Sequence, residues 1–280
     1  PIQGVGHADL VQAADGSWWA VFLGFRILWP YSYFHILGRE TFLAPVDWPA
    51  GGWPQVNGNG TVSLEMNVPT LQLHPVEKSP ERVHFDEEKL GFEWQYLRNP
   101  IRENYSLTEK NGFLRITASP NTLNETNPVS FVGRRQTEHD FEAATSLVFN
   151  SSEEQEEAGM TLIQNNTHHY DLLVKKNGNK SFVQLRVTLG LLSYIAAEKE
   201  ITGEGALLKI TGTPTEYSFY VGNTQDNQYT ELGKLNTQYL SKEVAGGFTG
   251  VMIGLYASSN GKPTKAKAYY DWFEYRTLNP

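Results

Sequence analysis

Cysteine is absent from the 280 residues. Disulfides, thiolate metal sites and a cysteine nucleophile are thereby excluded. No apolar run reaches the roughly 18 residues that a membrane-spanning helix needs. Basic charge is also short: Lys and Arg number 23 against 31 Asp and Glu, for a net charge of −8. No block of Lys or Arg stands out, so nucleic acid and anionic membrane are poor partners. Helical signals are lacking too, since no stretch combines caps with a 3.6-residue period. No leader pattern opens the sequence. Its start, Pro1-Ile2-Gln3-Gly4, reads as a cut end or as the continuation of a separate upstream piece.

What is present suits an all-β protein. Aromatics make up 12% and Gly is frequent, as expected of short strands joined by many turns. Three strand-length runs, Ser17–Leu23, Tyr31–Ile36 and Thr41–Leu43, occupy residues 1–68. These few strands cannot close a core of their own. Residues 69–81 carry Pro69, Pro75 and Pro80 without any period and read as a linker. Residues 82–280 return to regular strands: Phe92–Leu97, Phe113–Thr117, Glu142–Phe149, Gly159–Gln164, Tyr170–Lys175, Phe182–Val187, Tyr217–Val221, Val251–Tyr256 and Ala268–Tyr275. Asn111-Gly112 and Asn177-Gly178 mark hairpins, because both residue types accept a positive φ. Nine strands without helices predict a β-sandwich.

Six N-x-S/T sequons begin at Asn59, Asn104, Asn124, Asn150, Asn165 and Asn179. That is more than chance supplies, and it points to a secreted glycoprotein. An Asn-, Ser- and Thr-rich β-surface is the other reading.

Gly6-His7-Ala8-Asp9-Leu10-Val11, Leu37-Gly38-Arg39-Glu40-Thr41 and Trp48-Pro49-Ala50-Gly51-Gly52-Trp53-Pro54 resemble the last blade of the five-bladed β-propeller of glycoside hydrolase family 43. His84-Phe85-Asp86, Leu90 to Gln95, Ala158 to Leu162 and Tyr270-Asp271-Trp272-Phe273-Glu274-Tyr275 resemble the concanavalin-like jelly-roll sandwich appended to its β-xylosidases and α-L-arabinofuranosidases. The resemblance covers nearly the whole chain. It implies an incomplete propeller followed by a sandwich. The implied activity is inverting exo-hydrolysis that releases terminal xylose or arabinose from xylo-oligosaccharides. Inverting hydrolysis uses two carboxyl groups about 6.5–9.5 Å apart. In the family, the Asp base and Glu acid precede the Gly-His-Ala-Asp segment, so they are expected in an upstream propeller segment, the implied partner of this chain. Alone, the chain is expected to be inactive. A non-catalytic carbohydrate-binding sandwich is the alternative, and a structural adhesion domain a third reading.

Three residues carry the implied substrate contacts. His7 matches a family histidine that supports the carboxylates or the sugar. Arg39 matches an arginine whose rigid fork of donors reaches sugar hydroxyls. Phe248, in Ala245-Gly246-Gly247-Phe248-Thr249-Gly250, matches a sandwich phenylalanine that narrows the pocket. Asp9, Glu40 and Asp47 are not assigned as catalysts. The resemblance also implies a structural Ca²⁺ near Asp86 and Asp271, and no organic cofactor. Val83-His84-Phe85-Asp86 departs from the family's Asp-Asp-Phe-Asp, which threatens one ligand. His168-His169 sit on adjacent strand positions facing opposite ways and make a poor zinc site.

Overall fold

The computed structural model describes residues 2–27, 34–58, 60–68, 71–203, 205–224 and 228–278. Strands β1 (Ile2–Gln12), β2 (Trp18–Arg26), β3 (Glu40–Asp47) and β4 (Gln55–Val56) form an antiparallel sheet in chain order. The β1–β2 turn is fastened by Asp15, whose Oδ1 accepts from the Ser17 backbone N–H and hydroxyl at 3.0 and 2.6 Å. Alternation along β2 and β3 buries Ala20, Phe22, Ala44 and Val46 on one face, under Val56, Val62 and Met66. The expected strand Tyr31–Ile36 does not form in its described part. Phe34–Ile36 is irregular, and residues 31–33 lie outside the described residues. Its backbone groups bond across to the second unit instead.

Residues 72–80 are exposed and belong to no strand or helix; 69 and 70 lie outside the described residues. Beyond them come β5 (Arg82–Val83), β6 (Gln95–Tyr96), β7 (Tyr105–Ser106), β8 (Leu114–Thr117), β9 (Ser130–Arg135), β10 (Phe141–Asn150), β11 (Glu157–Asn165) and β12 (His168–Asn177). They continue as β13 (Lys180–Leu189), β14 (Leu192–Ile201), β15 (Gly205–Gly212), β16 (Glu216–Gly222), β17 (Tyr229–Asn236), the short α1 (Lys242–Ala245), β18 (Met252–Ser258) and β19 (Lys267–Thr277). Two sheets result. One runs β17-β16-β15-β10-β19-β8-β7 with β5 on β19, and the other runs β14-β13-β12-β11-β18-β9-β6. The expected β-sandwich is thus present, with more strands than the nine expected.

Between the sheets lie Met160, Leu162, Leu172, Val174, Val183, Leu185 and Val187 from one side and Leu147, Leu208, Ile210, Phe219 and Phe273 from the other. Along β9, β11, β12 and β18 the seven-stranded sheet is buried on its outer face as well. Ile163, Leu173, Phe131 and Tyr256 pack there against Leu123 and Val129, which stand in the segment between β8 and β9. Double-sided burial explains why β11 and β12 read as near-continuous apolar runs rather than as alternation. The outer face also holds a buried polar cluster. Asp171 is fully buried; it accepts from Thr161 at 2.7 Å, His169 Nδ1 at 2.8 Å and Arg186 Nε at 2.9 Å. Arg186 in turn grips Glu157 with two 2.9 Å bonds.

Asn177-Gly178 marks the β12–β13 hairpin, with Asn177 paired to Lys180 and Gly178 at φ +58°. Gly112 takes φ +72° in the turn leading into β8, closed by the Phe113 N–H bond to the Lys110 carbonyl at 3.1 Å.

Candidate functional site

The two units meet through main chain. Gly38, at φ +71°, lies against Gly250: a Cβ added to Gly38 would stand 2.1 Å from the Gly250 nitrogen. Neither backbone can retreat, because Val251 N–H donates to the Ile36 carbonyl at 2.8 Å and Arg135 Nη2 to the Leu37 carbonyl at 2.9 Å. Ile36 and Leu37 are buried in the sandwich core. Gly38→Ala is therefore expected to destabilise the chain by about 1–3 kcal/mol from its left-handed backbone alone, with the overlap adding to that. Thermal unfolding of the variant checks this.

Past this contact, Arg39 and Phe248 come together. The Arg39 guanidinium carbon lies 4.1 Å from the Phe248 ring centroid, well inside cation–π range. Both side chains are exposed, Phe248 at 63%. Gly246 and Gly247, at φ +78° and +84°, turn the chain after α1 so that Phe248 projects. Asn165 Nδ2 holds the Ala245 carbonyl at 2.8 Å, and Gln164 Nε2 holds that of Thr249 at 2.7 Å. One face of the ring is thus covered by the Arg39 guanidinium.

His7 is exposed on β1 at φ +52°, a rare conformation for a non-glycine residue, within the second of two register shifts in the β1–β2 ladder. These bulges re-aim its side chain. It stands two strands from β3, roughly 10 Å at the spacing of neighbouring strands. Among the described residues, no hydrogen bond, ion pair or ring contact joins it to Arg39 or Phe248.

Of the carboxylates near the motifs, Asp9 and Asp47 are exposed. Glu40 is committed to Arg26, with bonds of 2.8 to 3.1 Å, and Arg26 also reaches Glu138 at 2.7 Å. Burial alone would lower the Arg26 pKa; the bonds to Glu40 and Glu138 outweigh it and hold the guanidinium firmly charged. This triad ties β2 to the sandwich, a role that the sequence did not signal.

His35 is a second unforeseen residue. Its imidazole is buried, stacks on Phe25 at 4.0 Å between centroids, and bonds through Nδ1 to Glu243 Oε1 at 2.7 Å. Burial holds it below the usual 6.5, against the pull of Glu243.

For a calcium ion the donor set is thin. Asp86 is exposed beyond β5, and Asp271 sits where the β10–β19 register slips between Ser146 and Leu147. Among the described residues, no group of three or more His, Asp or Glu is placed to hold a metal. Asp86 and Asp271 thus make no oxygen cage by themselves, since Ca²⁺ takes six to eight ligands. His169 is fully buried and turned to Asp171, while His168 is only half-buried.

Residues 82–276 match the family described as the β-xylosidase C-terminal concanavalin A-like domain, and residues 1–54 match glycosyl hydrolases family 43. The chain belongs to glycoside hydrolase family 43. This family 43 chain is 42% identical, over 100% of its length and 52% of the relative's, to the non-reducing end α-L-arabinofuranosidase BoGH43B of Bacteroides ovatus. It is 35% identical to a xylosidase/arabinosidase of Butyrivibrio fibrisolvens, over 98% of the chain and 52% of the relative. Among solved structures, GH43B of the Bacteroides ovatus xyloglucan locus superposes with a TM-score of 0.94 at 41% identity, over 99% of the chain and 55% of that protein. The family 43 protein BlXynB of Bacillus licheniformis superposes at 0.93 with 29% identity, over 99% of the chain and 54% of that protein. The chain spans about half the length of these relatives.

Proposed function

We propose that the chain serves as the C-terminal half of an inverting exo-glycosidase that removes terminal xylose or arabinose from xylo-oligosaccharides. The observation that carries this reading is the Arg39–Phe248 pair, brought together at 4.1 Å from loops of the two units. A guanidinium held against a ring keeps a planar fork of N–H donors, the chemistry that holds a sugar's hydroxyls. In this reading the four-stranded sheet is the last propeller blade. Its outermost strand β1 leaves Val5, Leu10 and Val11 about half exposed, at 52%, 45% and 48%, as a strand awaiting a neighbouring blade would. An upstream propeller segment supplies the Asp base and Glu acid. His7, on β1, faces the propeller axis and orients a carboxylate or the sugar. Arg39 binds hydroxyls of the terminal residue, and Phe248 both steadies Arg39 and blocks the far end of the cleft. A blocked end confines hydrolysis to chain termini.

The carbohydrate-binding alternative would place a ligand on an open sandwich face. Over β9, β11, β12 and β18 the outer face of the seven-stranded sheet is covered by Leu123 and Val129, which leaves a ligand no open surface there.

Secretion as a glycoprotein is supported by Asn124, Asn150 and Asn179, which are exposed. Asn104 and Asn165 instead commit their amide nitrogens, to Ser130 Oγ at 3.0 Å and the Ala245 carbonyl at 2.8 Å, and suit a glycan poorly. Asn59 lies outside the described residues.

The test is a chromogenic assay with β-xyloside and α-L-arabinofuranoside, run on the 280-residue chain with and without an upstream propeller segment. Turnover is expected only with the segment present. Clear turnover by the chain alone, or none by the joined protein on either substrate, overturns the proposal.

A further inference from the structure

The loop that presents Phe248 is held at both ends by two consecutive residues of the other unit. At its start, the Lys242 N–H donates to the His35 carbonyl at 3.2 Å. Glu243 receives the His35 backbone N–H on Oε2 at 3.1 Å and the His35 ring on Oε1 at 2.7 Å. At its end, the Val251 N–H donates to the Ile36 carbonyl at 2.8 Å. Residues 242–251 therefore form a closed loop pinned on a dipeptide, with Phe248 inside it. The end at Ile36 is main chain bonding to main chain. The end at His35 adds the Glu243 side chain to its one main-chain bond, so it is the end that substitution can weaken.

The chemistry of the His35 end is well determined. An ionised carboxylate only accepts, so Nδ1 carries the proton it gives to Oε1. The ring lies nearly parallel to Phe25, at 11°, and is 2% exposed, so it has little freedom to turn. His35 is also only four residues before Arg39, in the same connecting segment. One short stretch of chain thus carries the guanidinium and grips the loop carrying the ring.

We propose that His35 and Glu243 form a latch that sets Phe248 over Arg39, making His35 a positioning residue for the sugar site. The catalytic consequence rests on reading Arg39 and Phe248 as sugar-facing groups. The mechanical part does not. Releasing Glu243 leaves the first half of the loop on the Lys242 main-chain bond and the Asn165 amide alone, a looser hold from which the ring drifts off the guanidinium. An unsteadied guanidinium binds hydroxyls less well, so the loss falls on KM more than on kcat.

Two measurements test this. On the 280-residue chain, amide hydrogen exchange is followed at Ala245, Gly246 and Val251 in Glu243→Ala, Glu243→Gln and His35→Asn. Glu243 is partly exposed, at 33% of its side chain, so its variants are expected to fold. Glu243→Ala should speed exchange at Ala245 and Gly246 at least about tenfold with Val251 unchanged. Glu243→Gln, which keeps an acceptor, and His35→Asn, which keeps a donor near Nδ1, should restore much of the protection. Unchanged exchange at Ala245 and Gly246, or equal loss at Val251, overturns the latch. On the chain joined to its upstream segment, Glu243→Ala should lower kcat/KM by roughly 10- to 100-fold, mostly through KM. The double variant Glu243→Ala/His35→Asn should be no worse than Glu243→Ala, because the two residues act as one unit. Arg39→Ala, run alongside, separates the failures. If Arg39→Ala lowers kcat/KM and Glu243→Ala does not, the positioning role is wrong. If neither changes it, the sugar-facing reading of Arg39 is wrong, and hydrogen exchange alone judges the latch.

Discussion

Asp171→Ala is expected to lower the unfolding free energy by about 3–5 kcal/mol, the range seen when one partner of a buried ion pair is removed. Asp171 is wholly enclosed, and three donors converge on it from Thr161, His169 and Arg186. Removing the carboxylate leaves the His169 ring and the Arg186 Nε–H in a dry environment without their acceptor. Glu157 keeps the far end of the guanidinium, at 2.9 Å, so Arg186 stays charged and stays put. Urea denaturation at pH 7 measures the loss, and a change under about 1 kcal/mol would mean that water reaches the cluster. The dependence on pH follows from the same contacts. Burial alone would raise the Asp171 pKa, but its contacts with His169, the Arg186 guanidinium and the Thr161 hydroxyl hold it well below the usual 3.8. A depressed carboxylate contributes stability above its unfolded value and loses that contribution as the pH falls toward its folded one. The gap between wild type and Asp171→Ala should therefore be full at pH 7 and shrink only in strong acid, below pH 3.8.

With an upstream propeller segment present, Arg39→Ala should cost about 1.5–3 kcal/mol in transition-state binding, a loss of roughly 10- to 150-fold in kcat/KM. Its effect on folding should be slight. Arg39 is exposed, and its contact with Phe248 is the kind of surface cation–π interaction that contributes about 0.5–1 kcal/mol. Arg39→Lys should recover little, since an ammonium neither lies flat on the ring nor offers a planar fork. Steady-state kinetics and thermal unfolding on the same samples decide the matter. An unchanged kcat/KM removes Arg39 from the site, whereas equal losses in activity and stability would make it a structural residue.

The strands that the sequence made legible are those where apolar runs or turn residues mark them, such as Tyr170–Lys175 within β12 and Ala268–Tyr275 within β19. β14 was missed because it is an edge strand, with Glu198, Lys199 and Glu200 exposed and little burial to impose a pattern. β1 was missed for a related reason: its two register shifts break the alternation. At the site, Arg39 and Phe248 were named from family motifs, and they do meet. The parts that bring them together were invisible. His35 and Glu243 lie 208 positions apart, and nothing local to either residue signals the other. Arg26, Glu40 and Glu138 are equally scattered, and only the docking of one unit on the other makes them a triad.

The Gly38–Gly250 contact bears on how this region tolerates change. The two segments touch through backbone atoms at Gly38 and Gly250, and the side chains that fasten the joint around them are those of Arg26, His35, Arg135 and Glu243, not of Arg39 or Phe248. Positions 39 and 248 can then be varied together without disturbing the scaffold beneath them, while 38 and 250 cannot be varied at all. A library randomised at the first pair and fixed at the second should yield many folded proteins. Such an arrangement separates the part of the surface that selection can explore from the part that keeps the two units in register.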